Sequence, residues 1–396
     1  MQVLILGGSQ WQLSLIENIR GLGHYAIVAD RDKKCPGAKI ADEYWNVSIL
    51  DRDELLKKCK KSKINLVISD STDRAVTEVG FLNDNLGLNG ISHRIAERFT
   101  NKVIMRDMLE GKIKMPRHIS LPLVKKEVEN AYDLIGPRTI IKPSLGQSSI
   151  GVKEIFSKAD IKKLNFEKEY FGCDELIIEE FIEGEEYTVD SITIEKKTSI
   201  TGVSRKTHYA DNKCVASSLN FDIDENSEIY KKLTSIHNDV IRNLGLLDGI
   251  CHAEYIINND NPFLVEIAAR GGGSGVSSII VPFLNGFSHY EILVRRLTGE
   301  KVIAPKRVSK RFACLRFFDF PKGKILEVNK PEKSFLKKYV KLFNLAVQPG
   351  DVISYEIDDK KRNSLGYFIV TNKSREDLYK IVEQVIGKTN IISKND

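Results

Sequence analysis

His252-Ala-Glu-Tyr-Ile-Ile-Asn-Asn-Asp-Asn-Pro-Phe-Leu-Val-Glu266-Ile-Ala-Ala-Arg270 is the stretch on which the reading of this chain turns. Its middle, Asn258-Asn-Asp-Asn-Pro262, is turn chemistry between two apolar, β-branched segments, which predicts a β-hairpin. Position 260 lies midway between Glu254 and Glu266, so a hairpin centred there makes the two glutamates cross-strand neighbours. Such neighbours stand about 4.5–5.5 Å apart, where like charges repel. A positive group is therefore expected between them. A hard cation such as Mg2+, with Arg270 nearby, suits two carboxylates. Taken without the rest of the chain, the same hairpin could equally carry two ordinary solvated glutamates.

The chain has 396 residues, too many for one ordinary core, so two or three domains are expected. Hydrophobic residues at 42% and charged residues at 29% describe a soluble globular protein. No apolar run approaches a membrane span, and Met1-Gln-Val-Leu-Ile-Leu-Gly runs straight into a first strand, which argues against a signal peptide. Cysteines 35, 59, 173, 214, 251 and 314 are scattered, with no Cys-x-x-Cys pair; reduced thiols in the cytoplasm and no zinc site are expected. A net charge of +6 is a small excess, and no recognition helix or stacking-aromatic motif accompanies it. Nucleic acid is thus not an expected partner, whereas an anionic small molecule such as a nucleotide is.

Strand and helix alternate up to about residue 95: strands at 2–7, Tyr25–Ala29 and Asn65–Ser69, helices near 51–62 and from Ala75 to Leu86. This predicts a βαβ domain with a parallel sheet. Gly7 and Asp30 invite a dinucleotide reading, but Ser9 and Gln12 stand where that fingerprint needs glycine. The loop could still hold a small anion at the helix N-terminus. From 96 to 300 come a basic helix at 101–109, a strand Thr139–Pro143, a glycine- and serine-rich stretch and several further strands. Beyond 300, alternating segments at Phe312–Phe318, Val352–Ile357 and Tyr367–Thr371 predict an antiparallel sheet closed by a helix at Glu376–Ile386.

Lys142 ends an apolar strand immediately before Ser144-Leu-Gly-Gln-Ser-Ser-Ile-Gly151. A lysine there can reach phosphates while backbone N–H groups of the loop cover them; the plainer reading is a hydrated strand end. Leu176-Ile-Ile178 and Phe181-Ile182 would offer a flat apolar surface to a purine, and Glu186 could accept from ribose hydroxyls. Arg205 could meet the phosphates; Lys206, one residue on, should then point to the opposite face. Gly271-Gly-Gly-Ser-Gly275, directly after Arg270, could hold an anion on free backbone N–H groups or simply let the strand turn.

The order of these motifs resembles the ATP-grasp superfamily along the whole chain. Thr-Asn-Lys102-Val-Ile-Met-Arg resembles its first phosphate lysine and Ile-Ile-Lys142-Pro its second. Ser144–Gly151, with Ser144, Gly146, Ser148, Ser149 and Gly151, looks like the phosphate-covering loop. Glu179-Glu180-Phe181-Ile182 is similar to the adenine hinge, and Gly184-Glu185-Glu186 to the ribose turn. Glu254 and Glu266 match the paired metal carboxylates, and Arg270 the arginine facing the transferred phosphate. One departure is Ala268, where the family usually has Asn as a metal ligand; His252 would face it across the hairpin.

The resemblance implies a mixed α/β and α+β architecture. A pre-ATP-grasp βαβ domain would span 1–95, a two-lobed ATP-grasp fold 96–300 and a C-terminal antiparallel β cap 301–396, a layout like that of biotin carboxylase. It further implies ATP with Mg2+ or Mn2+, small-molecule carboxylate and amine substrates, and an amide formed through an acyl-phosphate with ADP released. Lys142, Arg205 and Arg270 would act on the phosphoryl group. No membrane partner is implied, and a homodimer is compatible with the resemblance. Glu-Ile-Ala-Ala-Arg-Gly-Gly-Gly and Arg316-Phe-Phe-Asp-Phe-Pro-Lys-Gly-Lys look most like carboxylate–amine (amino-acid or dipeptide) ligases. A bicarbonate-activating enzyme and a nucleotide-binding protein without catalysis are the competing readings.

Overall fold

The computed structural model describes residues 1–147, 150–167, 171–303, 311–354, 357 and 359–394. Its first sheet is parallel throughout, with strands ordered Glu43–Trp45, Tyr25–Ala29, Gln2–Leu6 and Leu66–Ile68. Val3, Leu4, Ile5 and Leu6 are all fully buried, because helices cover both faces of the sheet. Leu15, Ile16 and Ile19 pack on one face, while Leu55, Cys59, Ala75, Val79 and Leu82 pack on the other. The short strand Glu43–Trp45 was not expected from sequence. After Gly7 the chain satisfies itself: Gly8 N donates to Asp30 Oδ2 at 2.9 Å, so the anion this turn could hold is the protein's own carboxylate.

A second sheet, of four antiparallel strands, forms one lobe in the order His118–Pro122, Glu175–Glu180, Thr139–Pro143, Lys153–Ile155. Helices Lys125–Ile135 and Lys158–Lys163 bury Val128, Ala131 and Ile161 against Ile141, Ile155, Leu176 and Ile178. Leu176 and Ile178 therefore belong to this core, and the apolar surface they were expected to offer a purine does not include them.

The largest sheet has eight antiparallel strands. Its order is Asn261–Ala268, Gly249–Asn258, Glu185–Ile194, Lys197–His208, Ala216–Phe221, Phe312–Phe317, Gly366–Asn372 and Val340–Leu345. Pairing of Ala216–Phe221 with Phe312–Phe317 carries this sheet across the boundary expected at 300. Three strands of the expected cap, Phe312–Phe317, Gly366–Asn372 and Val340–Leu345, thus continue the central sheet. Of the segment expected as a strand over Val352–Ile357, Val352–Ile353 is strand, in a separate sheet with Gly323–Asn329 and Asn390–Lys394, while residues 355 and 356 lie outside the described residues.

The hairpin of Glu254 and Glu266 lies at the edge of the large sheet. Its turn is Asn259-Asp260, both with positive φ (45° and 64°), as a tight two-residue hairpin turn requires. Unbroken, that turn would bring Glu254 opposite Val265. The register shifts between Glu254 and Tyr255, Val265 becomes the extra residue of a bulge, and Glu254 faces Glu266 after all. The expected pairing is correct, although the turn is one residue shorter than the sequence suggested.

Candidate active site

A cleft of about 300 Å³ opens between the four-stranded lobe and the large sheet, with Lys142, Phe181, Ile182, Glu186, Glu254 and Glu266 among its walls. That is the size of a small-molecule site. Lys102 is held there by its own main chain: Asn101 caps the helix Lys102–Leu109 and bridges to Leu145, and Lys102 N donates to Ser144 O at 2.9 Å. Its Nζ then lies 2.9 Å from both Gly146 O and Glu266 Oε1. Across the hairpin, Lys206 Nζ lies 2.7 Å from Glu254 Oε1 and 2.6 Å from Glu186 Oε1. The positive groups that the facing glutamates require are, in this structure, two lysines.

Lys142 is buried and sits 2.6 Å from Glu179 Oε2. Arg106, fully buried, holds the other oxygen of Glu179 at 2.8–2.9 Å and donates to Leu264 O and Val265 O at the bulge. Burial alone lifts the Glu179 carboxyl, but Arg106 and Lys142 outweigh it and hold it at about 2. The same opposition acts on Glu186, where Lys206 and His208 overcome burial and hold the carboxyl at about 2. For Lys142, burial pulls the ammonium below its ordinary value, with Arg106 adding to it, despite the opposing pull of Glu179 and Glu266.

Several expected roles change. Arg205 pairs with Glu185 at 3.5 Å and lines neither this cleft nor the cavity beside it, whereas Lys206 pairs with Glu186 and Glu254 of the cleft wall and lines that neighbouring cavity. Alternation along the strand was read correctly, but with the wrong residue facing inward. Glu179 supports Lys142 with its side chain, although it also lines the cleft. Glu180 is tied to Arg117 at 2.8 Å, and Phe181 lies under the Arg138 guanidinium at 3.7 Å, which leaves Phe181 and Ile182 as apolar wall. Ser144 is buried and holds Lys102 through its main chain; Gly146 lines the cleft and Gly151, at φ +76°, turns the loop. Ser148 and Ser149 lie outside the described residues.

A second cavity, of about 220 Å³, shares Gln147, Glu254 and Cys214 with the first and is also lined by Lys206, His252 and Arg270. His252 faces Ala268, and its Nδ1 lies 2.8 Å from Asp190 Oδ1, so it is held by a buried carboxylate. Arg270 Nε donates to Asp73 Oδ1 at 2.5 Å. Gly271 N donates to Asp70 Oδ1 at 2.7 Å, so the first N–H of the glycine loop already holds an anion. Asp70, Asp73, Arg106 and Lys206 were missed as site residues. Asp70 and Asp73 follow strand Leu66–Ile68 of the parallel sheet, where ligand sites of such sheets gather, and that was the available signal.

No group of three or more His, Cys, Asp or Glu among the described residues could hold a metal by itself. Glu254 and Glu266 bring two hard-oxygen carboxylates face to face, and Ala268 adds no donor. This donor set fits a cation that arrives with phosphate oxygens better than one bound alone.

Residues 135–278 match the model of the ATP-grasp domain family. Dapdiamide A synthase of Enterobacter agglomerans is 24% identical over 382 residues, which cover 85% of this chain and 84% of that one. Formate-dependent phosphoribosylglycinamide formyltransferase of Prochlorococcus marinus (strain MIT 9515) is 22% identical over 296 residues, 72% of this chain and 74% of its own. The structure of L-amino acid ligase from Bacillus licheniformis superposes with a TM-score of 0.80 at 16% identity, covering 100% and 99% of the two chains.

Proposed function

Since this chain carries an ATP-grasp domain on an ATP-grasp fold, we propose that it is an ATP-dependent carboxylate–amine ligase that releases ADP and phosphate. The observation that carries the reading is the facing pair Glu254 and Glu266 in the wall of a cleft of small-molecule size, with Lys102 and Lys206 already on their oxygens. An acid and an amine are the substrate classes of a carboxylate–amine ligase, and the second cavity, lined by Lys206, His252 and Arg270, suits them.

Phe181 and Ile182 would flank the base and Glu186 the ribose. Lys102, Lys142 and Lys206 would receive the phosphates, exchanging carboxylate partners for phosphate oxygens. Glu254 and Glu266 would hold Mg2+ or Mn2+, which when bound adds positive charge against the terminal phosphates. Arg270, at the edge of the second cavity, would steady charge on the phosphoryl group as the substrate carboxylate attacks it. An amine then displaces phosphate from the acyl-phosphate, forming the C–N bond and losing its proton. No protein nucleophile enters, because the substrate itself is activated.

Six cysteines without a disulfide support a reducing compartment such as the cytoplasm, and no helix among the described residues is long and apolar enough to cross a membrane.

The test is a screen of acid–amine pairs with ¹⁸O in the acid carboxylate. Label should move into inorganic phosphate, with ADP released only when acid is present. Label in AMP would overturn the mechanism. ADP release driven by bicarbonate alone would make the protein a carboxylase, and no nucleotide turnover with any pair would leave a binding protein.

A further inference from the structure

Resting on the ligase reading above, we propose that Asp73, from the parallel N-terminal domain, is a positioning residue that joins the phosphate-covering loop to Arg270. Two contacts meet at this residue. Its carboxylate Oδ1 accepts from Arg270 Nε at 2.5 Å, and its main-chain N donates to Gln147 Oε1 at 2.6 Å. The partners come from distant parts of the chain, 197 and 74 positions away. Both side chains of the ion pair are largely buried, at 15% and 8% exposure, so water screens the pair little.

The geometry controls the guanidinium. Arg270 Nε is taken by Asp73 and Nη1 donates to Gly271 O at 3.1 Å, which together set the plane of the group. Nη2 has no hydrogen-bond partner among the described residues and belongs to a side chain that lines the second cavity. Asp70 secures the adjoining main chain: it accepts from Gly271 N at 2.7 Å and from Tyr290 OH at 2.5 Å. Ser71, between the two aspartates, has φ of +59°, so the segment turns sharply enough to use both carboxylates on neighbouring residues.

Gln147 makes the second contact. It lines the nucleotide cleft and the second cavity alike, and its side chain ends on the first residue of helix Asp73–Leu86. When this part of the loop is docked, it rests on the residue that aims Arg270. The domain expected to be a separate βαβ unit therefore supplies a support for both sides of the reaction centre. A mere interface ion pair would tie the domains together without favouring any step. A positioning role instead predicts that chemistry suffers while nucleotide binding does not.

The experiment compares Asp73→Asn, Gln147→Ala and Arg270→Ala in ADP release and in calorimetric binding of a non-hydrolysable ATP analogue. Asp73→Asn should lower kcat about 10- to 100-fold and leave analogue affinity within about two-fold. Gln147→Ala should weaken analogue binding about 10-fold. In an Arg270→Ala background, Asp73→Asn should add less than about two-fold, because it acts through the arginine. Equal losses of kcat and affinity, or additive losses in the double variant, would overturn the proposal. Should Asp73→Asn fail to fold, Asp73→Glu takes its place, keeping the charge but moving the carboxylate by one methylene. A wild-type kcat for that variant would be equally fatal. ADP release by the wild type with an unaffected Asp73→Asn sinks only this role; no ADP release from the wild type with any pair removes the ligase reading and this role with it.

Discussion

Lys206 Nζ lies within hydrogen-bonding distance of both Glu186 and Glu254, at 2.6 and 2.7 Å, so one ammonium joins the carboxylate proposed for the ribose to one proposed for the metal. Burial disfavours this charge, but the two carboxylates more than compensate and raise its pKa above the ordinary lysine value. A divalent cation arriving alone must take Glu254 from Lys206, and Glu266 from Lys102. A triphosphate changes the exchange by offering both lysines new anions. Lys206→Met should therefore let Mn2+ bind without nucleotide about 10-fold more tightly, while weakening ATP binding by about the same factor. Electron paramagnetic resonance of free Mn2+ and calorimetry with ATP measure the two. Arg205→Met serves as the control and should alter neither by more than about two-fold. Unchanged Mn2+ binding in Lys206→Met would show that the lysine does not compete for Glu254.

Arg106 should be the most costly side chain of the site to remove. It has no exposed surface and satisfies Glu179 together with the Leu264 and Val265 carbonyls beside the bulge. Arg106→Met leaves two acceptors without their donor and Glu179 with Lys142 alone. A loss of about 3–5 kcal/mol is expected in urea unfolding. Arg106→Lys should recover part of it, since an ammonium can reach some but not all of three acceptors. A loss below about 1 kcal/mol would mean that water replaces the guanidinium.

The sequence made the hairpin legible because its signal is local: Asn and Asp in the turn and alternating apolar residues on either side. The lysines at 102 and 142 were legible for the same reason, each next to a recognisable loop or strand end. Arg106 was not, for it lies on an ordinary helix, and only the folded chain brings it under Glu179, 73 positions away. The pairing of Asp70 and Asp73 was hidden likewise, since their partners at 271 and 270 follow a strand of another sheet. The choice between Arg205 and Lys206 needed the facing of a strand whose register shifts at a bulge between Ile200 and Gly202. The boundary expected at 300 followed a change in pattern, but hydrogen bonding between Ala216–Phe221 and Phe312–Phe317 ignores that change.

Gly184 admits no side chain. A methyl group there would meet Ile257 O at 2.1 Å and Ile256 Cγ2 at 2.9 Å, and the first of these is main chain that cannot rotate away. The same approach lets Asn258 Nδ2 donate to Glu183 O at 2.6 Å, fastening the segment proposed as the hinge to the hairpin that carries Glu254. Gly184→Ala should push the two apart, raising the apparent KM for ATP about 10-fold and costing about 1–3 kcal/mol of stability. Steady-state kinetics and thermal unfolding check it, and a normal KM would show that hinge and hairpin move independently.

Nucleotide binding should take up protons at alkaline pH, and Lys142 is the reason. Burial, with Arg106 adding to it, lowers Lys142 below its ordinary value despite the pull of Glu179. A bound phosphate favours the charged form and raises it again. Protons are therefore taken up once the pH approaches the lowered value of the free protein, and ATP affinity falls as pH rises past that value. At acid pH the sign is set by Glu179, depressed from 4.5 to about 2. Its contribution to stability is complete above about 4.5 and is lost only as pH falls through about 2, so mild acid should not release Lys142. Calorimetry with the ATP analogue in two buffers of different ionisation enthalpy, at about pH 8 and about pH 10, reads the proton count directly. Uptake should appear at one or both pH values and be absent in Lys142→Met. Proton release, or uptake that survives in Lys142→Met, would assign the titrating group elsewhere.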